Sequence, residues 1–211
     1  MQVILMAKIV EASLPARLFR LARLPDPVAW PGLEIFDWPD EYRGRFDAPR
    51  RRVRVLYASE SVFGCALEII GRFRRAPGIT DILSLYGEGD LPASGMIPAS
   101  ELQIRALGTF ALRPSLEDRF LDLRATETLT VFGVDRSEAL SRNRSLTQRI
   151  ATQAIELGYR GIAYESFFAR DVTNWALFEP AEIVREPNRV LDPRTDPEVL
   201  RALRVLGVDL G

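Results

Sequence analysis

The segment from Arg54 to Phe73 constrains the fold more than any other part of the sequence. Its apolar start favours a buried strand over residues 53–58, and the stretch after Ser59 is typical of a helix over about residues 60–74. That helix is apolar nearly all round and is therefore expected in the core. Its carboxylate Glu68 is surrounded by apolar residues: Phe63, Cys65, Ala66, Leu67, Ile69 and Ile70. A charged group in such a setting is costly unless it is paired, so Glu68 is either a functional group or a structurally paired one.

Alternating and periodic patterns predict the remaining elements. Further strands are predicted over residues 16–23, 102–112, 160–164, 174–178 and 182–184. Helices are predicted around 124–132, over about 144–157 with Gly158 as its stop, and from Pro197, capped by Asp196, to about Leu206. Loops are expected at Pro25–Pro49, which carries Trp30, Phe36, Trp38, Tyr42 and Phe46, and at 76–99. Because strands and helices do not alternate regularly, we expect an α+β fold in a single domain over residues 1–211.

Composition excludes several kinds of catalytic machinery. The chain has 211 residues, a formal net charge of −1, no histidine and one cysteine. Without histidine, neither a Ser-His-Asp triad nor a histidine-ligated metal site can form, and Cys65 alone supports no internal disulfide or thiolate cluster. Glycines are too sparse for a dinucleotide or P-loop fingerprint. The charge argues against general nucleic-acid binding, and no apolar run approaches a membrane span, so a cytoplasmic protein is expected.

Carboxylate, hydroxyl, phenol and guanidinium groups supply the remaining chemistry. Glu68 is the leading candidate for a catalytic carboxylate, and the alternatives are a carboxylate at the helix rim or one paired structurally with an arginine. Tyr57, at the end of a buried strand, either presents its ring to a ligand or is a core tyrosine with a satisfied hydroxyl. Arg20 is either a surface residue at a strand end or a buried functional group. Ser145 is interpreted by default as a helix-start cap, and Ser166 as a loop residue.

These residues occur in an order that resembles the RES-domain toxins, a family named for an arginine, a glutamate and a serine. The family pattern has an aromatic-Arg strand, a Gly-Arg-Trp-Asn segment, an apolar strand ending in Tyr and a helix with Ala-x-x-Glu or a close variant. A Thr-Gln helix, a Gly-Ile-x-Tyr or Gly-Ile-x-x-Pro strand ending in serine and a Leu-Phe strand follow. The matching segments are Phe19-Arg20, Gly44-Arg45-Phe46-Asp47, Val55-Leu56-Tyr57, Cys65-Ala66-Leu67-Glu68, Ser145-Leu146-Thr147-Gln148, Gly161-Ile162-Ala163-Tyr164-Glu165-Ser166 and Asn174-Trp175-Ala176-Leu177-Phe178.

The resemblance covers about residues 17–180 and has three departures. Phe46 and Asp47 replace the family's Trp and Asn. Glu165 stands where the family often has Pro before its serine, so Ser145 remains an alternative to Ser166 as the family serine. The segment 76–99 matches no part of the pattern.

The resemblance implies an ADP-ribosyltransferase-like fold, a mixed β-sheet core with flanking helices, and NAD⁺ as substrate without a metal. Family members break the nicotinamide–ribose bond and pass the ADP-ribosyl group to phosphate, water or a protein. Glu68 would then stabilise oxocarbenium character at the ribose. Arg20 and Arg45 would bind the pyrophosphate, Tyr57 would stack on nicotinamide, and Ser166 would hydrogen-bond the substrate.

Three functions are open at this stage. The first is a toxin that consumes NAD⁺ by phosphorolysis or hydrolysis, paired as is usual in the family with an Xre-type helix-turn-helix antitoxin. The second is a protein ADP-ribosyltransferase. The third is a catalytically inactive binding module, an alternative that rests on the altered Phe46-Asp47 pair. A homo-oligomer is compatible with each of them.

Overall fold

The computed structural model describes residues 8–37, 43–48, 51–74, 95–141 and 143–211. The strands in these ranges are β1 (Leu18–Arg23), β2 (Val55–Ser59), β3 (Met96–Ile97), β4 (Arg105–Leu112), β5 (Arg119–Asp122), β6 (Tyr159–Glu165), β7 (Thr173–Phe178), β8 (Ile183–Arg185), β9 (Arg189–Val190) and β10 (Asp209–Leu210). The α-helices are α1 (Val62–Ile70), α2 (Ala99–Gln103), α3 (Thr126–Phe132), α4 (Arg136–Leu140), α5 (Arg144–Glu156) and α6 (Pro197–Leu206). Short 3₁₀ helices span Leu33–Asp37 and Gly71–Phe73.

One large sheet organises these elements, with the strand order β5-β6-β7-β2-β1-β4-β8 and with β9 also paired to β4. Strands β5 and β6 are parallel, and the other neighbours in this sheet are antiparallel. Strand β2 pairs along its length with β7, and β1 along its length with β4. Between β1 and β2 the register joins Phe19 to Ser59. The centre of the sheet is therefore a junction between two more continuously paired halves.

Helix α1 packs on β1, β2 and α6 beside this junction. It begins where the Ser61 hydroxyl accepts a hydrogen bond from the Gly64 N–H at 3.0 Å, a side-chain cap for an otherwise unpaired donor. Gly64 allows a close approach to the sheet, because an added Cβ would lie 2.1 Å from Ser59 Oγ. The cap and the close packing fix the direction in which the last turn of α1, with Glu68, faces the sheet.

Apolar side chains are buried on both faces of the sheet. Alternation along β7 shows the division, since Ala176 and Phe178 pack with α5 while Trp175 and Leu177 belong to a cluster on the opposite face. A third cluster joins α1 and α6 to the apolar face of β1 that carries Leu21. Helix α1 is thus held between the sheet and the C-terminal helix.

The expected α+β class is confirmed, and most of the predicted elements are present. The strands predicted over 16–23, 53–58, 160–164, 174–178 and 182–184 correspond to β1, β2, β6, β7 and β8, and the three later helices to α3, α5 and α6. Gly158 has a φ of 83°, a conformation that suits glycine at a helix stop. Asp196 caps α6 through the N–H groups of Glu198 and Val199. Trp30 and Phe46 of the predicted loop layer pack against the core, as expected.

Several boundaries were predicted wrongly. The strand expected from residue 102 begins at Arg105, because the preceding residues form α2, in which Leu102 is buried as a helical residue. The helix expected to reach 74 changes at Gly71 into a 3₁₀ turn. The short elements β5 and α4 were not predicted. Trp38, Tyr42 and the 76–94 part of the predicted irregular connection lie outside the described residues.

Candidate functional site

Glu68 occupies the last turn of α1 with its side chain half-buried. Its Oε1 atom accepts two hydrogen bonds, from Ser166 Oγ at 2.8 Å and from Asn174 Nδ2 at 2.7 Å. Both donors are neutral, so they fix the carboxylate without adding a positive charge. The structural ion pair that the sequence left open for Glu68 is absent from the described part of the chain.

Ser166 directly follows β6 and is fully buried, in the loop position expected from the sequence. Besides donating to Glu68, its Oγ accepts a hydrogen bond from the Phe168 N–H at 3.2 Å. Its own N–H is bonded to the Val172 carbonyl at 2.9 Å, which closes the loop between β6 and β7. The structure thus joins Ser166 to Glu68 and gives its hydroxyl two protein partners.

Asn174 was not singled out by the sequence analysis. It lies in β7, opposite Ser59 on one neighbouring strand and Tyr164 on the other, and only 1% of its surface is exposed. Its Oδ1 is buried and has no hydrogen-bond partner within the described ranges. The sequence signal that could have identified Asn174 was a polar amide inside an otherwise apolar strand, because burying a polar group costs free energy.

Arg20 bridges the junction between the two halves of the sheet. Its Nη1 donates to the Tyr57 carbonyl at 2.6 Å and its Nε to the Pro27 carbonyl at 2.9 Å. Burial lowers the pKa of Arg20, and the nearby Cys65, Tyr57 and Tyr164 oppose this change. Arg20 is therefore not a surface residue at a strand end: it is half-buried, with two of the five guanidinium N–H groups bonded to backbone.

The Tyr57 side chain is hydrogen-bonded to the loop that precedes β2. Its hydroxyl donates to Asp47 Oδ1 at 2.8 Å and accepts from the Phe46 N–H at 2.9 Å, while Asp47 Oδ2 accepts from the Gly44 N–H at 2.7 Å. A Cβ at Gly44 would lie 2.3 Å from the Tyr57 hydroxyl oxygen, so this contact requires glycine. Burial, followed by the negative charge of Asp47, raises the pKa of Tyr57 well above its ordinary value. The departure at Asp47 therefore has a structural role.

Arg45 lies on the same loop and reaches α4. Its Nη2 donates to the Ala139 carbonyl at 2.5 Å, and its guanidinium carbon lies 5.4 Å from the centre of the Tyr164 ring. Burial raises the pKa of Tyr164, the charge of Glu68 raises it further, and Arg45 and Arg20 oppose this. Tyr164, which the sequence analysis did not select, therefore interacts electrostatically with Glu68 and with both arginines.

Ser145 lies elsewhere, exposed in the first turn of α5. The expectation that it caps this helix is wrong, because Asn143 is the capping residue and accepts from the Leu146 N–H at 3.2 Å. The Ser145 hydroxyl donates to Asn143 Oδ1 at 2.7 Å. Three residues later in the same motif, Gln148 does reach the site loop, since its Nε2 donates to the Gly44 carbonyl at 3.2 Å.

A shallow cleft lies beside this assembly. Tyr164 forms part of its wall, together with Leu123, Arg124, Arg136, Ala139, Leu140 and Glu165. Glu165, the residue at the family's proline position, is 7% exposed and is paired with Arg136, whose Nε lies 3.1 Å from Glu165 Oε2. The two residues form one side of the cleft.

Two features, a metal-binding cluster and a membrane-spanning helix, are absent from the described residues. No group of three or more Cys, Asp or Glu side chains has a metal-binding arrangement there. No helix in the same ranges is both long and apolar enough to cross a membrane.

Comparison with known proteins gives a shared fold and a domain family. No curated protein matches it. A matching solved structure is a chain of the M. tuberculosis MbcT–MbcA toxin–antitoxin complex, with 15% identity, a TM-score of 0.59 and coverage of 89% of each chain. At that identity the likeness shows a shared fold. The model of the RES domain matches residues 17–197, and the chain therefore belongs to the RES domain family.

Proposed function

We propose that this protein is a toxin of a toxin–antitoxin pair and that it consumes NAD⁺ by cleaving the nicotinamide–ribose bond. The observation that carries the proposal is the fixed carboxylate Glu68. Ser166 and Asn174 hold one of its oxygens at 2.8 and 2.7 Å. Membership of the RES family and the fold shared with a toxin–antitoxin complex support the biological part of the proposal.

The reaction needs charge stabilisation at one carbon atom. The C1′–N bond breaks, its electron pair leaves with neutral nicotinamide, and positive oxocarbenium character develops on the ribose. A preorganised carboxylate stabilises that charge as it forms. An oxygen of phosphate or water then forms the new bond at C1′, and water releases its proton in doing so. Glu68 has the charge and the fixed geometry for this role.

Other residues would bind the rest of the dinucleotide. Arg20 and Arg45 supply guanidinium groups suited to a pyrophosphate. Tyr57 would contribute its ring to the nicotinamide, and its hydroxyl is held by Asp47 at 2.8 Å, which limits its movement. Ser166 would act mainly through Glu68, because its hydroxyl already serves two protein partners.

The contacts of Asp47 favour a working site over an inactive module. The altered Phe46-Asp47 pair retains hydrogen bonds to Tyr57, so the loop is joined to the candidate site despite the changed residues. Phosphorolysis and hydrolysis share the same carboxylate. Transfer to a protein is the second candidate, because a protein nucleophile attacks the same carbon.

Expression in a bacterial host, followed by quantification of NAD⁺ products, tests the proposal. Wild type should arrest growth and deplete NAD⁺, and Glu68→Gln should do neither. Co-expression of a small helix-turn-helix protein encoded beside the toxin gene, the proposed Xre-type antitoxin, should restore growth. In lysates with labelled NAD⁺, ADP-ribose indicates water and ADP-ribose 1″-phosphate indicates phosphate as acceptor, whereas label fixed to a protein band supports the transferase. Intact NAD⁺ with wild type under all these conditions would overturn both candidates.

A further inference from the structure

The two oxygens of Glu68 have different surroundings. Oε1 accepts both hydrogen bonds, whereas no donor among the described residues reaches Oε2. We propose that Asn174 is a positioning residue that, with Ser166, immobilises Oε1 so that Oε2 is the oxygen presented to the ribose of the substrate. This inference rests on the proposed function and extends it to a residue in β7.

The environment of Asn174 supports a role beyond packing. The residue is 1% exposed, yet its amide is only half satisfied by the described residues, because Nδ2 bonds to Glu68 while Oδ1 has no partner among them. A buried amide group left unpaired costs free energy that a structural residue would avoid. The opposite orientation of the amide would place Oδ1 against the carboxylate, so chemistry selects the orientation with Nδ2 toward Glu68.

The choice of neutral donors matters for catalysis. Two other shielded carboxylates are paired with arginine, Glu165 with Arg136 and Glu179 with Arg54, whereas Asp47, like Glu68, has neutral donors. An arginine at that distance from Glu68 would offset the negative charge that the ribose cation requires. An amide and a hydroxyl instead orient the carboxylate and leave its charge in place.

Steady-state kinetics on Asn174→Leu and Asn174→Asp test the inference. Asn174→Leu removes the Nδ2 donor and should lower kcat on the order of 10–100-fold. KM for NAD⁺ should change by less than about threefold, because the lost hydrogen bond orients the carboxylate and does not contact the ligand. In Asn174→Asp, a second carboxyl beside Oε1 should move the acidic limb of the pH–rate profile to higher pH. Other titratable groups around Glu68 are Cys65 on α1, Tyr164 on β6 and Arg20 on β1, and these are unchanged in both variants.

Two further variants complete the design. Ser166→Ala removes the other donor to the same oxygen and should lower kcat in the same way. Thr128→Val is the matched control, because it removes a fully buried hydroxyl that bonds the Val10 N–H and not Glu68. It should keep the wild-type kcat and pH profile.

A measurement without turnover separates this inference from the proposed function. In crystal structures, the Glu68 carboxylate should hold one orientation in wild type and lose it in Asn174→Leu, where one of its two donors is missing. That loss in a protein that cleaves no NAD⁺ would support the positioning role and overturn the proposed function. NAD⁺ cleavage with wild-type kcat and pH profile in Asn174→Asp would overturn the positioning role. Asn174→Asp is close to isosteric, so it remains informative where Asn174→Leu does not fold.

Discussion

At the scale of single residues, the sequence analysis selected Glu68 and Ser166 as candidate site residues but missed part of their surroundings. Glu68 and Ser166, 98 positions apart, are joined by a hydrogen bond, as their order in the family pattern suggested. Asn174 and Tyr164 were not selected, because their roles depend on strand register, which pairs Tyr164 with Asn174 across β6 and β7. A one-residue shift of either strand would turn these side chains to the other face of the sheet. The register itself cannot be predicted from the composition.

Asp47 provides a test of the site loop. Asp47→Ala removes the acceptors for the Tyr57 hydroxyl and the Gly44 N–H, so we expect KM for NAD⁺ to rise up to about tenfold, with a smaller effect for Asp47→Asn, which keeps one acceptor oxygen. Steady-state kinetics check this result. An unchanged KM in Asp47→Ala would mean that the loop does not position substrate.

Cys65 predicts a specific pH dependence of stability. Burial raises the pKa of its thiol from 9.0 to about 12. Because the folded pKa lies above the unfolded value, the stabilisation is fully present below pH 9.0 and is lost as pH rises toward about 12. Urea denaturation should show the free energy of unfolding of wild type falling more steeply over this window than that of Cys65→Ala. Tyr57 and Tyr164, which remain in both proteins, add losses of the same sign. Equal slopes would contradict the buried thiol.

At the scale of elements, the C-terminal helix supports the helix that carries the carboxylate. Helix α6 begins at Pro197, where the match to the RES model ends, yet its buried residues Val199, Ala202 and Leu203 pack in one cluster with α1. The sequence predicted α6 from its Asp-Pro start, since a capping carboxylate before a first-turn proline is a strong local signal. Its contact with α1 could not be predicted, because that contact joins distant parts of the chain.

Truncation at this helix interface should be costly. Leu203→Ala should reduce the free energy of unfolding by about 2–4 kcal/mol, because it removes a side chain that is 7% exposed and leaves a cavity beside α1. Leu200→Ala, at a position 36% exposed on the same helix, is the matched control and should cost about 1 kcal/mol or less. Denaturation in urea measures both variants. Similar losses in the two would show that α6 does not brace α1 through its buried face.

At the scale of the whole molecule, the candidate site lies where the two halves of the sheet meet. Arg20 on β1 bonds the Tyr57 carbonyl on β2 across this junction. The order of elements and the α+β class could be predicted from periodicity and caps. The position of the junction could not, because it follows from the β1–β2 pairing at Phe19 and Ser59, a contact between strands that lie far apart in sequence. Short elements such as β5 were missed because four residues carry too little periodic signal.

Binding of NAD⁺ across the junction should stabilise the molecule as a whole. In Glu68→Gln, which should bind NAD⁺ and turn it over about 10²–10³-fold more slowly than wild type, NAD⁺ at about 100 times its Kd should add about 2.7 kcal/mol to the free energy of unfolding, seen as a higher Tm. Arg20→Ala in the same background should lose most of this shift. Arg17→Ala, which removes an exposed arginine paired with Glu186, should retain it. Equal shifts in the Arg20 and Arg17 variants would place the ligand away from the junction.

The decisive test of NAD⁺ cleavage by Glu68 is the rate of nicotinamide release from NAD⁺ by purified wild type and Glu68→Gln, with phosphate present and absent. We expect turnover by wild type and a loss of about 10²–10³-fold in kcat for a Glu68→Gln protein of unchanged fold. Equal rates in the two proteins, or no release by wild type with either acceptor, would contradict it.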